Sequence, residues 1–221
     1  MINDSNILGC LECGTAMWCP AGLDSADLAH VVEQVIADNM RAISVVSDSV
    51  PIIWPWLENK NIKIFTRFYM DAVSADSVSD LTENVNSVFK QGADGAQIFI
   101  RFKDIDAFVS QLYMIRDDLF FNKDLIIGID ICDVGPFDWG HLFSGLKKIR
   151  ANGVMLALSR DTGDRSDFVG RIYAALNAWD GEYDGKLQFA VGLNPTRIDQ
   201  VVRLTRLIQP NLCKNTMFFV S

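Results

Sequence analysis

Residues 124–132, DLIIGIDIC, are the stretch that decides the fold of this chain. A nearly continuous apolar run of this length is typical of a parallel strand that is buried on both faces. Similar runs rich in Val, Ile and Phe recur on both sides of it, separated by longer stretches with helical periodicity. Together they predict strands at residues 15–19, 41–46, 62–70, 95–101, 124–132, 153–158, 186–192 and 214–220.

The segments between the predicted strands carry helix signals. Asp24 or Ser25 can cap a first helix, and Asn194-Pro195 is a cap followed by proline at the first helical position. The second helix is doubtful, since Pro51 can start it but Pro55 would break a long one. Eight strands alternating with seven helices predict parallel pairing, right-handed crossovers and closure into a (β/α)₈ TIM barrel.

One domain is expected to span residues 1–221, with 1–14 as an N-terminal extension. The last predicted strand ends beside Ser221, so the barrel is expected to lack its last helix. The outer face of strands eight and one would then be bare apolar surface unless the extension or a second subunit covers it. A homo-oligomer is the prediction that follows.

Composition limits the partners and the location. The formal net charge is −8, which argues against nucleic acid or an anionic membrane as a main partner, because both reward clustered Lys and Arg. Five irregularly spaced cysteines suit free thiols in a reducing cytoplasm, and the N-terminus has no secretory pattern. With two histidines in the chain and neither a Rossmann nor a P-loop motif, no metal and no cofactor are expected.

Candidate functional residues follow from the rule that barrel enzymes place their chemistry at the C-terminal ends of the strands. Side-chain alternation puts Arg67 and Asp71 on one face of strand three, and Gln97 and Arg101 on one face of strand four. Asp130 stands alone in an apolar strand. The predicted catalytic residues are Asp130, Asp71 and Asp48, and the predicted substrate-binding residues are Arg67, Arg101, Ser159, Arg160, Gly192 and Asn194.

Two interpretations of Arg67, Arg101 and Asp130 stay open, because an unpaired charge inside a barrel is costly. In the first, two guanidiniums grip the phosphate or carboxylate of a small anionic metabolite and Asp130 acts as acid or base. In the second, the three form an internal ion-pair network between strands. Arg160 and Asp133 can equally be solvated loop charges, and Asp48 can be a turn residue before Pro51.

Three stretches resemble the class I aldolase barrels, and among them the deoxyribose-phosphate aldolases. GADGAQIFI at 92–100 resembles that family's G-A-D-E-I-D-x-V strand. ANGVMLALS at 151–159 stands in the place of the strand with the Schiff-base lysine, and LQFAVGLNPTR at 187–197 in the place of K-A-S-G-G-I-R. GLNP at 192–195 also resembles the phosphate loop of phosphoribosylanthranilate isomerase-like barrels, where helix N-terminal amides hold phosphate.

The resemblance implies a barrel without the family's imine chemistry. Its strand-four aspartate corresponds to Gln97, its Schiff-base lysine to Met155 and its second lysine to Gln188. A methionine cannot supply the neutral amine that attacks a carbonyl. The function expected is therefore a lyase or isomerase acting on a small phosphorylated or carboxylated metabolite by acid–base chemistry. The alternative is a non-catalytic barrel that binds a metabolite or a protein partner.

Overall fold

A computed structural model describes residues 13–158, 167–179, 183, 185–190 and 195–221 of the chain. Its strands lie close to the predicted ones. They are β1 Gly14–Trp18, β2 Ala42–Val45, β3 Lys63–Tyr69, β4 Gly95–Phe99, β5 Asp124–Asp130, β6 Gly153–Ala157, β7 Lys186–Phe189 and β8 Thr216–Val220.

Helices separate the strands, as predicted. They are α1 Ser25–Ala37, α2 Val50–Leu57, α3 Ala75–Lys90, α4 Ile105–Tyr113, α5 Arg116–Leu119, α6 Trp139–Lys148, α7 Phe168–Ala178 and α8 Pro195–Ile208. Short 3₁₀ turns add Ser47–Ser49, Phe102–Asp104 and Pro210–Asn215. The four-residue α5 has no counterpart among the seven predicted helices. Within the described segments, none of these helices has the length and apolarity needed to cross a membrane.

All eight strands are parallel and follow chain order around one closed barrel. Closure comes from β1 and β8, which pair along Gly14–Met17 and Met217–Val220. The predicted (β/α)₈ TIM barrel is therefore confirmed.

Side-chain alternation divides each strand between the barrel interior and the helix layer. Inside, a small cluster contains Ala16, Phe65, Ile126, Met155 and Phe219. The outward residues pack against the helices in two larger apolar clusters, one around β1 to β3 and one around the rest of the barrel. Because the interior is filled by side chains, any ligand must bind at one of its two open ends.

The local signals in the sequence explain where the helices begin. The Asp24 carboxylate accepts hydrogen bonds of 2.9 Å from the backbone N–H groups of Ala26 and Asp27, which caps α1. Pro195 is the first residue of α8. The doubtful second helix does form, with Pro55 inside it, and it ends at Leu57 after eight residues.

The outer faces of β1 and β8 are covered within a single chain. Met17 is 4% exposed and Phe218 is 1% exposed within a single chain. The Phe218 ring stacks on Phe189 with centroids 5.1 Å apart, and both belong to the cluster that includes Val201 of α8. A homo-oligomer stays a prediction, but no uncovered apolar face on these strands supports it.

Candidate functional site at the C-terminal mouth

Arg67 lies inside the barrel at the end where the strands finish, here called the C-terminal mouth. It is 6% exposed. Its Nη2 donates to the carbonyl of Cys19 at 2.6 Å and its Nη1 to the carbonyl of Ser44 at 2.9 Å. The guanidinium carbon also sits 4.3 Å from the ring centroid of Trp18. These contacts tie β3 to β2 and to the segment that follows β1.

The charge of Arg67 is only partly offset by this environment. Burial lowers the pKa of the guanidinium, while Tyr69 and Cys19 act in the opposite direction. Among the described residues, no carboxylate forms a salt bridge with Arg67. Arg67 is therefore not held by the predicted ion-pair network with Asp130. Two backbone carbonyls and the face of the Trp18 ring stabilise its guanidinium instead.

Arg101 lies at the exposed rim of the mouth, directly after β4. Its Nε is 3.2 Å from the Asp104 carboxylate, and its Nη2 donates to the backbone carbonyl of Asp71. Arg101 thus links the segments that follow β3 and β4. The Asp71 residue is exposed and its contact with Arg101 is through the main chain.

Asp130 and Asp133 are brought together by the turn that follows β5. The N–H of Asp133 donates to the carbonyl of Asp130 at 3.0 Å, and an Asp130 carboxylate oxygen accepts from the N–H of Cys132 at 2.8 Å. Partial burial, together with the negative charge of Asp130, raises the pKa of Asp133, and Arg101 opposes that rise. Two carboxyl groups and one guanidinium therefore share a single electrostatic environment at the rim.

The other predicted site residues divide into two groups. Asp48 is exposed in the 3₁₀ turn between β2 and α2, which fits the turn role that the sequence left open. Ser159, Arg160, Gly192 and Asn194 lie outside the described residues, so their assignment stays a prediction. Across the described ranges, no three His, Cys, Asp or Glu side chains gather in a way that could hold a metal ion.

The centre of the barrel contains a neutral hydrogen-bond chain. The Ser44 hydroxyl donates to Gln97 Oε1 at 2.6 Å, and Gln97 Nε2 donates to Gln188 Oε1 at 2.9 Å. Met155 is fully buried in the adjacent apolar cluster. The positions that the resemblance aligns with a catalytic aspartate and two lysines therefore carry amides and a thioether, which cannot form an imine.

Sequence reasoning missed the amide chain and the pairing of Asp130 with Asp133. Gln97 and Gln188 each interrupt an apolar strand, as Asp130 does, so the same signal was present for them. Asp133 comes close to Asp130 through a turn, in which the N–H of Asp133 donates to the carbonyl of Asp130. Side-chain alternation applies only to extended strands, so it could not predict this turn.

The closed parallel barrel defines this protein as a (β/α)₈ TIM barrel. No protein-family model matches the sequence, and no curated protein matches it. Solved structures do match. A candidate deoxyribose-phosphate aldolase from Toxoplasma gondii ME49 superposes with a TM-score of 0.74 at 14% identity, covering 98% of this chain and 89% of that one.

Two further structures widen the comparison. The deoxyribose phosphate aldolase from Aeropyrum pernix, described as a unique tetramer, has a TM-score of 0.68 at 9% identity, with 100% of this chain and 88% of that chain covered. The 3-hexulose-6-phosphate synthase from Salmonella typhimurium has a TM-score of 0.60 at 13% identity, covering 94% and 89%. At such identities the likeness establishes the fold, and it confirms the resemblance to aldolase barrels at that level.

Proposed function

We propose that this protein is an aldolase-like barrel enzyme acting on a small phosphorylated or carboxylated metabolite by acid–base lyase or isomerase chemistry, without an imine. The observation that carries the proposal is the carboxyl pair at the C-terminal mouth, Asp130 and Asp133, beside Arg101. A carboxyl group whose pKa is raised can donate a proton at a site where a neighbouring carboxylate accepts one.

The proposed roles follow from charge and position. Asp130 is the base that removes a proton from a carbon or hydroxyl next to a carbonyl group. Asp133, whose raised pKa favours the protonated form more than in water, returns a proton to the developing oxyanion. Arg101, at the exposed rim, binds the anionic group of the substrate, and the buried charge of Arg67 makes the interior behind it positive.

The test is a screen of sugar phosphates and small keto acids, read as a thermal shift and as substrate consumption by NMR. Asp130→Asn should lower turnover by at least about a hundredfold, the scale of general acid–base catalysis, while ligand binding persists. Asp118→Asn, an exposed aspartate of α5, is the matched control. Unchanged turnover in Asp130→Asn would contradict the proposed mechanism.

A non-catalytic barrel is the second candidate. It is favoured by the amide chain of Ser44, Gln97 and Gln188 and by Met155, which occupy the positions of the aldolase machinery. The same screen separates the two candidates. A ligand that stabilises the wild type and is never consumed supports a binding protein, whereas turnover lost with Asp130 supports the enzyme.

The proposed setting is the cytoplasm and the proposed assembly is a homo-oligomer. Cys19 and Cys132, which are free thiols, support a reducing compartment. The tetramer described for the Aeropyrum pernix aldolase supports an assembly of copies of this chain. No nucleic acid or membrane partner is proposed, because the net charge is −8.

A further inference from the structure

The end of the barrel opposite the C-terminal mouth contains a cavity of about 300 Å³, here called the N-terminal cavity. Its volume is at the lower end of the range for small-molecule sites. Four of its lining residues are basic and none is acidic. The full lining is Arg41, Asn61, Lys63, Phe65, Lys186, Gln188, Lys214, Asn215, Thr216 and Met217.

The basic side chains come together because of the strand alternation. Lys63, Asp124 and Lys186 are the first residues of β3, β5 and β7, and they point into the barrel. In a barrel interior, one layer of four side chains comes from alternate strands. The fourth position of this layer therefore belongs to β1, where the residue is Gly14. A Cβ at Gly14 would lie 2.8 Å from Cδ of Arg41, so the arginine occupies the space that glycine leaves.

One carboxylate, that of Asp124, forms salt bridges with two of these basic side chains. Asp124 Oδ2 lies 2.6 Å from Lys63 Nζ and 2.9 Å from Lys186 Nζ. Burial would raise the pKa of Asp124, but hydrogen bonds from Lys63 and Lys186 outweigh it, so the pKa is lowered and the group is ionised at neutral pH. Within the described part of the chain, neither Arg41 nor Lys214 has a carboxylate in a salt bridge.

Charge at the cavity is therefore unbalanced. Counted over the described residues, four cationic side chains and one carboxylate leave a surplus of three positive charges, in a chain whose net charge is −8. A clamp that stabilises the barrel needs only the Lys63–Asp124–Lys186 triad. Arg41 and Lys214 add repulsion to it, and like charges around one cavity are unfavourable unless an anion offsets them.

A neutral donor accompanies the cations. Gln188 is fully buried one layer further in and lines the cavity, and its Nε2 has no hydrogen-bond acceptor among the residues that the structure describes. A buried N–H without a partner costs about 1–3 kcal/mol, so an acceptor from a bound molecule would be stabilised there. The cavity thus offers charged donors at its opening and an amide donor at its inner end.

We propose that the N-terminal cavity is a binding site for a small polyanion, of the size and charge of a phosphorylated or multiply carboxylated metabolite. The enclosed volume excludes a nucleic acid duplex. This site lies at the opposite end of the barrel from the carboxyl pair and does not depend on the function proposed for that pair. Its ligand is held by Arg41, Lys214 and the outward faces of Lys63 and Lys186.

The experiment is isothermal titration calorimetry of the full chain with inorganic pyrophosphate, and with inorganic phosphate, in low-salt buffer. The wild type should bind saturably and more weakly as ionic strength rises. Arg41→Met and Lys214→Met should each weaken binding about tenfold or more, the loss of a charge-assisted hydrogen bond. Circular dichroism checks that both variants are folded, which is expected because both side chains are exposed.

Matched controls remove a positive charge elsewhere on the surface. Arg203→Met removes an exposed arginine of α8, and Lys90→Met removes an exposed lysine in the last turn of α3. Binding at the cavity should survive both. The proposal is overturned if the wild type shows no saturable binding, or if folded Arg41→Met and Lys214→Met bind as the wild type does. A failure of the Asp130→Asn turnover test would leave this result untouched.

Discussion

The two ends of this barrel belong to the same eight strands, yet their positively charged side chains have different surroundings. At the C-terminal mouth, Arg67 is covered by Trp18 and donates to two backbone carbonyls. At the N-terminal cavity, Arg41 and Lys214 are exposed and face open volume. A buried arginine that donates to backbone carbonyls is part of the scaffold. A surplus of positive charge around a cavity indicates an anionic ligand.

Glycine shows the same contrast. A Cβ at Gly128 on β5 would meet the Phe99 ring at 2.3 Å, and a Cβ at Gly14 on β1 would meet the Arg41 side chain at 2.8 Å. The space left by an inward glycine is thus filled by an aromatic ring near one end and by a cationic chain at the other. The interior beneath the C-terminal mouth is packed, whereas the opposite end keeps a cavity lined by charge.

The largest expected difference between the two ends is in stability, and Arg67→Met should reveal it. We expect the free energy of unfolding to fall by about 2–4 kcal/mol, because the buried carbonyls of Cys19 and Ser44 each lose a hydrogen bond and Trp18 loses its cation. Arg41→Met, at an exposed position, should change it by less than about 0.5 kcal/mol. Urea denaturation of both variants measures the difference. Equal small losses would mean that Arg67 is not part of the scaffold.

A smaller effect is expected for Asp124→Asn, about 1–2 kcal/mol at pH 7, because the carboxylate is buried while its lysine partners are 50% and 38% exposed. The folded pKa of Asp124 lies below its unfolded value, so this stabilisation is complete well above about pH 4 and is lost as pH falls through the folded pKa. Urea denaturation at pH 7, 5 and 3 should therefore show the two proteins converging. A constant difference would rule out the ion pairs as its cause.

The smallest expected effect is electrostatic and local. Asp130→Asn removes a like charge and should lower the pKa of Asp133 towards its ordinary value, without reaching it, because burial is the larger cause of the rise. Carboxyl ¹³C NMR titration measures this, with Asp118→Asn as the control. An unmoved Asp133 would show that the two carboxyl groups do not share an environment.

The fold could be predicted because its signals are local and repeated. DLIIGIDIC at 124–132 became β5, and the proline of Asn194-Pro195 became the first residue of α8. The apolar cover of β8 could not be predicted in the same way, because Phe189 and the residues of α8 that bury Phe218 come from other parts of the chain. The number of predicted helices does not indicate which strands each helix covers.

The candidate site was predicted less completely. Alternation along strands put Arg67 on one face of strand three and Gln97 on one face of strand four, and the structure pairs these two residues in register. It did not reveal that Arg67 reaches across to the carbonyl of Cys19, since that contact depends on barrel closure and on the side-chain conformation. Lys63, Lys186 and Lys214 lie far apart in the sequence, and the cavity that they share appears only once the strands are closed.

The hydrogen-bond chain through the centre has a direction. Arg67 Nη1 lies 3.4 Å from the Ser44 hydroxyl, Ser44 donates to Gln97, Gln97 donates to Gln188, and the last donor in the series is Gln188 Nε2 beside the N-terminal cavity. Hydrogen bonds in series polarise one another, by about 10–30% per bond. An acceptor that completed the series at Gln188 would strengthen every link back to Arg67, so occupancy at one end of the barrel would alter the electron distribution at the other without any atom having to move far.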